Sequence, residues 1–518
     1  MAKKTKDTKD KTKAKQKERY SGPVFTVEYL LIVEPWQANV IDNSLEAGRN
    51  MYNSLCGLML RRYNEMIKTK EYRTLMDSIT GDKEKDKETW SKINGIRQRN
   101  GFNEYAFQSE IKPMRNHFKK AIDSTIGQKI ASQAWKAFAK LIYGDGKKIH
   151  FKKFGEFDTL EGKTSFNGIK FCDTHIEFRD MKLRYVVEID NQYEEEAIRH
   201  VVSYCRIVRK MIRGQHRYYV QLVMRGTPPL KVDKTTKKVK YPLAIGDVGL
   251  DIGTSTLAYA SMTKVRILEL ASGAQGLENE KKKIQRAMDR SRRVMNPQYY
   301  NDDGTIKKGK KTWVDSNHYI KLKNKLKEIN RKQAAIRKYQ HECLANELVV
   351  LGNKFYVEEM NFKALAKRAK KTEKSDKTIE VTNKNGEAKI IQKNKRKKRF
   401  GKSVANRAPA MFLAILERKL KNRGAKLVKI NTREARASQF NHLTQEYKKK
   451  KLSQRWNYFD GYKVQRDMYS AFLIMNIKSD LKSFNMKKCN ARFANFMKLH
   501  DEEVARLSGN KNLSSIAI

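Results

Sequence analysis

Cysteine is scarce in this chain: there are five in 518 residues, at Cys56, Cys172, Cys205, Cys343 and Cys489, and no CxxC spacing. Such scattered thiols argue against a disulfide framework and a cysteine zinc site, and fit a reducing cytoplasm. Long apolar runs are also missing. No segment approaches the ~18–20 apolar residues of a membrane-crossing helix. Residues 1–20, with nine Lys/Arg and three acids, lack the apolar stretch of a secretory signal. Acids are the third shortage: 57 Asp and Glu against 111 Lys and Arg leave a net charge of +54. A chain so unbalanced repels itself unless a polyanion neutralises it, which points to a nucleic-acid partner and away from a membrane.

The length allows roughly three or four domains, and the pattern along the chain is that of a multidomain α+β protein. Residues 1–22 form a basic tail without apolar periodicity, expected to be disordered when free. Residues 24–33 (V-F-T-V-E-Y-L-L-I-V) read as a strand ending before Pro35. A helical lobe is expected over 36–144, inserted behind that strand. Residues 23–35 together with 145–240 then make a small β-barrel, with strands predicted at 150–154, 169–171, 175–178, 185–189, 201–208 and 218–224. A second domain begins near Tyr241. It has strands at 245–251, 256–262 and 265–270, followed by a helical hairpin over 278–351 whose second helix carries a seam at Tyr319, Leu322, Leu326, Ile329 and Ile336. After the first part of this domain, 241–366, comes a basic segment, 367–402. The domain resumes at 403–430 and 463–485 around a nub at 431–462, and 486–518 is read as a C-terminal tail.

Within the second domain, A-I-G-D-V-G-L-D-I-G-T-S-T-L-A-Y at 244–259 carries Asp251 to the end of an apolar run. A carboxylate inside a sheet needs a cation or a proton. Two further acids sit in matching settings: Glu358 ends a short strand and Asp467 opens a helix, 107 and 109 residues further along in turn. Each has an ordinary reading by itself. Asp251 fits a hairpin turn, Glu358 a strand-end charge with Glu359 as the alternative, and Asp467 a helix N-cap. Taken together, in this order, they suit a site where two divalent ions are held for phosphodiester hydrolysis.

The strings G-L-D-I-G-T at 249–254, Y-V-E-E-M-N at 356–361 and Q-R-D-M-Y-S-A at 465–471 resemble the three segments of the RuvC-type, RNase H-like nuclease domain. They are most like those of transposon-encoded TnpB proteins and the compact type V CRISPR effectors related to them. R-F-G-K-S-V-A at 399–405, E-R-K-L at 417–420, S-Q at 438–439 and L-S-Q-R at 452–455 are similar too. The resemblance implies an RNase H-like (RuvC) α/β nuclease domain, a β-barrel wedge domain and a helical recognition lobe. It implies Asp251, Glu358 and Asp467 as catalytic metal ligands for two Mg²⁺ ions, with Mn²⁺ as an alternative. The partners it implies are a guide RNA and a double-stranded target DNA read beside a short flanking motif, in a prokaryotic cytoplasm at the nucleoid. Two other functions stay open: a guided repressor that binds without cutting, and a non-guided nuclease associated with a transposon.

The family's four-cysteine zinc ribbon has no counterpart here, since no cysteine lies between Glu358 and Asp467. Asn441 and Thr444 stand where the first pair would be, and Y-F-D-G at 458–461 where the second would be. His442 alone cannot complete a tetrahedral site, so no structural zinc is expected in this chain, and Trp456, Tyr458, Phe459 and Tyr462 are expected to hold the nub. The nucleic-acid contacts expected from charge and position are Lys152 and Lys153, the run Lys395, Arg396, Lys397, Lys398 and Arg399, and Arg455 with Trp456. In the helical lobe Trp90, Arg97, Arg99, Tyr105, Phe107, Arg115 and His117 are further candidates, most of the aromatic ones also fitting a core.

Overall fold

The computed structural model describes residues 20–82, 84–144, 146–188, 191–302, 304–367, 374–382, 388–394, 400–450, 454–459 and 461–508. The chain divides into two compact units, Met1–Leu230 and Lys231–Ile518.

In the first unit, β1 (Val24–Leu31) buries Phe25, Val27, Tyr29 and Leu31 on one face, the period of two that its sequence shows. Pro35 then opens α1 (Pro35–Met66), where the Glu34 amide donates to Gln37 Oε1 at 3.0 Å. The helices α2 (Lys70–Asp77), α3 (Lys87–Arg99), α4 (Glu104–His117) and α5 (Ser124–Ile142) follow. The chain returns to β-structure in β2 (Thr159–Glu161), β3 (Lys170–Cys172), β4 (His175–Phe178) and β5 (Met181–Val186). A short α6 (Gln192–Ile198) leads to the long hairpin β6 (Val202–Ile212) and β7 (Gln215–Arg225). Among the described residues the sheet order is β2-β6-β7-β1-β5-β4-β3, antiparallel throughout. Its end strands β2 and β3 do not pair, so the expected barrel is a half-barrel. Ile41, Leu55 and Phe138 of the helices share one apolar core with Val27, Leu183 and Leu222 of the strands. The helical lobe and the sheet are thus a single packed body rather than separate folding domains.

Two expectations for this unit fail locally. Residues 150–154 are not a strand; Asn53 of α1 pins them, donating from Nδ2 to the Lys152 carbonyl and accepting the Lys152 amide, both at 2.8 Å. A side-chain amide thereby does the work of a neighbouring strand. The fifth strand begins at Met181 and ends at Val186, ahead of the expected 185–189.

The second unit is built on the mixed sheet β10-β9-β8-β11-β14. Strands β8 (Asp247–Ile252), β9 (Thr256–Ala260) and β10 (Val265–Glu269) run antiparallel. Helices α7 (Glu278–Met295) and α8 (Asn317–Val349) form the expected hairpin, with Lys281 Nζ on Gln333 Oε1 at 3.3 Å and Arg292 on Asp315 at 3.2 Å. Strand β11 (Lys354–Glu358) pairs parallel with β8 and is followed by the short α9 (Phe362–Leu365). The basic segment contains a hairpin, β12 (Lys374–Thr382) with β13 (Ala388–Asn394). Next come α10 (Gly401–Arg407), α11 (Pro409–Lys421) and β14 (Lys426–Ile430), the last parallel to β11. After α12 (Thr432–Ala435), the nub is two small hairpins, β15 (Phe440–Asn441) with β16 (Glu446–Tyr447) and β17 (Trp456–Phe459) with β18 (Tyr462–Gln465). The chain closes with α13 (Arg466–Met475) and α14 (Met486–Ser508). The stretch read as a tail is therefore largely a helix.

Alternation along β8 and β11 sorts the sheet's two faces. Val248, Leu250, Ile252, Phe355 and Val357 pack with α8 and α11. Gly249, Asp251, Tyr356 and Glu358 are left for the face covered by α13. Gly249 is needed there: a Cβ on it would lie 2.0 Å from the Ala471 carbonyl oxygen and 2.4 Å from the Met475 amide nitrogen of α13.

Candidate active site

Asp251 lies within β8, opposite Ala258 of β9, one residue before the strand ends; the turn that follows closes through the Gly253 amide on the Thr256 carbonyl at 2.9 Å. It is thus a strand residue and not a turn aspartate. The β8–β11 register offsets partners by 107 residues, as in Lys354 with Asp247, which places Glu358 laterally beside Asp251. Both acids sit at the carboxyl ends of parallel strands, the usual place for a site in such sheets. Asp467 stands in the first turn of α13, where the helix dipole favours an anion. The helix is capped by Gln465, whose Oε1 accepts the Met468 amide at 2.8 Å, so Asp467 is free of the N-cap task.

All three acids line one cavity of ≈ 580 Å³. Burial raises the Asp251 carboxyl well above the usual carboxylate range, and the negative charges of Asp467 and Glu358 push it further, against the pull of Arg466. Burial also raises Glu358, which accepts the Ala437 amide at 3.2 Å. Asp467 faces Arg466 Nε at 2.9 Å and Arg455 at 3.4 Å. Lys449 and Lys450 complete a cationic rim around the acids. Asp251, Glu358 and Asp467 are not among the groups whose ligand atoms lie within 4.8 Å of one another.

This set fits hard divalent cations. Its acidic donors are all oxygen, two of the acids are raised by burial, and mutual repulsion among the three adds to the rise on Asp251, which cations would relieve. Glu359 is exposed and outside the cavity lining, its amide donating to the Ile430 carbonyl at 2.8 Å. Asp247 lies at the far end of β8 beside Arg492, 3.9 Å away.

The residues assigned to nucleic acid are spread over both units. Lys152 and Lys153 are exposed, in the first. Arg455 is at the cavity itself. Trp456 is half-buried, its ring edge-on to His500 at 6.3 Å with Lys463 over its face at 4.6 Å. Lys395, Arg396, Lys397, Lys398 and Arg399 lie outside the described residues. In the first unit, Arg97 is buried among Tyr72, Trp90 and Tyr143, and Phe107 is core, so neither presents itself to a partner. Tyr105, 84% exposed, does. Lys449, Lys450 and Arg466 were missed by the sequence reading; the one signal for them was their proximity in sequence to the third acid.

Of the residues expected to hold the nub, Trp456 packs edge-on to His500 and Tyr462 edge-on to Phe493 at 5.1 Å, the Phe459 side chain lies outside the described residues, and Tyr458 departs from the expectation. Tyr458 is 71% exposed. The interior instead holds Phe440, which stacks on Phe484 at 5.0 Å, and His442, whose ring lies 4.7 Å from Phe493 of α14. His442 Nδ1 meets the Tyr469 hydroxyl at 2.5 Å, and burial pushes its pKa down to about 4. At neutral pH this imidazole is an uncharged core group.

No family model matches the sequence, and no curated protein does. Among solved structures the chain is similar to the protein of a Cas12f1–sgRNA–target DNA complex at 10% identity, covering 86% of this chain and 84% of that one with a TM-score of 0.44. It is also similar to the protein of a CRISPR-Cas12f ternary complex at 12% identity, covering 86% and 83% with a TM-score of 0.26. Among the described residues no helix is long and apolar enough to cross a membrane.

Proposed function

We propose that this chain is an RNA-guided, magnesium-dependent DNA endonuclease with a RuvC-type site, related to TnpB proteins and compact type V CRISPR effectors. The observation that carries the nuclease reading is the meeting of Asp251, Glu358 and Asp467, from two strand ends and a helix start, in one cavity rimmed by Lys449, Lys450 and Arg455. The guide is supported by the three motif strings and by the net charge of +54.

Asp251, Glu358 and Asp467 would hold two Mg²⁺ ions, with Mn²⁺ as a substitute. When bound, such ions activate water and stabilise the leaving oxygen of a phosphodiester. The protein's part is placement. The rigid β8–β11 pair fixes the first two carboxylates, and α13, pressed on Gly249, fixes the third. Arg455 and Arg466 lie against Asp467, and their guanidinium groups would be suited to hold backbone phosphate at the cavity. By the family resemblance, the half-barrel and helices of the first unit would make the guide and flanking-motif contacts.

The test is cleavage of a target plasmid by the purified chain with the RNA that copurifies from its native host. The expected result is Mg²⁺-dependent cutting only where RNA and target pair, with Asp251→Ala reducing the rate at least ~10³-fold while leaving guided binding intact. Cutting retained by the variant would overturn the assignment of the triad. Cutting without any RNA would favour the non-guided nuclease, and guided binding with no cutting by the unaltered chain would favour the repressor.

A further inference from the structure

Away from the acid cavity, β3 and β4 join through a two-residue turn, so Cys172 and His175 are cross-strand partners whose side chains leave the same face. Glu177, two residues on, shares it, while Ile176 and Phe178 alternate into the core. One ligand atom from each of Cys172, His175 and Glu177 lies within 4.8 Å of the others, and among the described residues no other trio of His, Cys, Asp or Glu does this.

The imidazole is aimed into the cluster. Its Nδ1 lies 3.1 Å from Thr174 Oγ1, and with Nδ1–H donating to that hydroxyl Nε2 is the ring nitrogen that keeps a lone pair. Nε2 is buried without any hydrogen-bond partner and lies 3.9 Å from Glu177 Oε1. That gap is too long for a hydrogen bond. Two atoms each ~2.0–2.2 Å from one tetrahedral ion are roughly 3.4 Å apart, so a small side-chain rotation closes the set. The other Glu177 oxygen is occupied by Lys170 at 3.5 Å, leaving Oε1 for a ligand. From below, the Tyr185 hydroxyl donates to the Asp173 carbonyl at 2.6 Å and holds the turn in place.

A sulfur, a nitrogen and a carboxylate oxygen form the donor set of a borderline divalent cation. We propose that Cys172, His175 and Glu177 bind one zinc ion, with an external ligand in the fourth position, fastening the three-residue edge strand β3 to β4. This site is separate from the cysteine-free ribbon position and does not depend on the nuclease reading.

The test uses the full chain, stripped with chelator, with Mg²⁺ in excess to occupy oxygen-only sites and Co²⁺ as the probe. One equivalent should produce a thiolate-to-cobalt charge-transfer band in the near ultraviolet, displaced by Zn²⁺; carboxylates alone cannot give it. Cys172→Ser should remove the band, Glu177→Gln should weaken Zn²⁺ binding ~10-fold or more, and Cys343→Ser should change neither. In the unaltered chain, Zn²⁺ should protect Cys172, and not Cys343, from alkylation mapped by mass spectrometry, a readout that stands even if a variant fails to fold. No charge-transfer band in the unaltered chain, a band that survives Cys172→Ser, or equal alkylation of Cys172 with and without Zn²⁺ would each reduce the cluster to a Lys170–Glu177 ion pair beside a free thiol.

Discussion

Asp251 is held in the folded chain at a cost. Its carboxyl is raised by burial, by Asp467 and by Glu358, so the folded state binds its proton more tightly than the unfolded state does. Stability therefore falls as pH rises above the unfolded value of ~3.9 toward the higher folded one. At neutral pH and without divalent ions the charged form is a burden that Asp251→Asn removes. We expect that variant to melt above the unaltered chain in chelator at pH 7.5, by about 2–4 °C for each kcal/mol relieved. Added Mg²⁺ should raise the unaltered chain and move the variant much less. Scanning calorimetry of both with and without Mg²⁺ checks this, and equal Mg²⁺ shifts would contradict it. At this scale the sequence was informative, because a lone acid ending an apolar run has few uses. It was silent on Arg466 and Lys449, since a basic residue in a chain of net charge +54 carries little information by itself.

Among elements, the decisive contact is α13 on β8. With Ala471 and Met475 backbone atoms already against Gly249, Gly249→Ala leaves no flexible side chain to yield. The helix must retreat and carry Asp467 away from Asp251. A cost of ~1–3 kcal/mol in stability and a loss of ~10²-fold or more in cleavage are expected, with guide-RNA binding retained. Unfolding curves and single-turnover cleavage measure the two effects separately, and a variant that cuts at the normal rate would show that this packing does not set the site. The strand Val24–Leu31, with its clean alternation, and the short apolar strand Lys426–Ile430 were legible from sequence. Helix α14 was not. Its aromatic residues Phe493 and Phe496 are interspersed with charges, and their partners Tyr469 and Phe472 belong to the preceding helix. The hairpin β12–β13 was hidden by its lysines, and residues 150–154 imitated a strand although a side chain of α1 satisfies their backbone.

At the level of the whole molecule, a net charge of +54 makes nucleic-acid affinity a salt-dependent quantity. Binding of guide RNA should weaken steeply between low and moderate salt. Lys449→Ala, which removes one cation from the cavity rim, should lower the slope of log affinity for target DNA against log salt by about one. Fluorescence titrations across salt concentrations report that slope; an unchanged slope would take Lys449 out of the interface. Sequence patterning gave the order of parts along the chain, but it could not show that the helices and half-barrel of the first unit share one core, because that depends on long-range contacts. The central claim is that Asp251, Glu358 and Asp467 are ligands of shared divalent ions. Its most direct test is Mn²⁺ located by anomalous diffraction from crystals of the chain. The account predicts manganese peaks touching all three carboxylates, with Arg455 and Arg466 displaced from Asp467. Peaks confined to other parts of the surface, with both arginines still on Asp467, would contradict it.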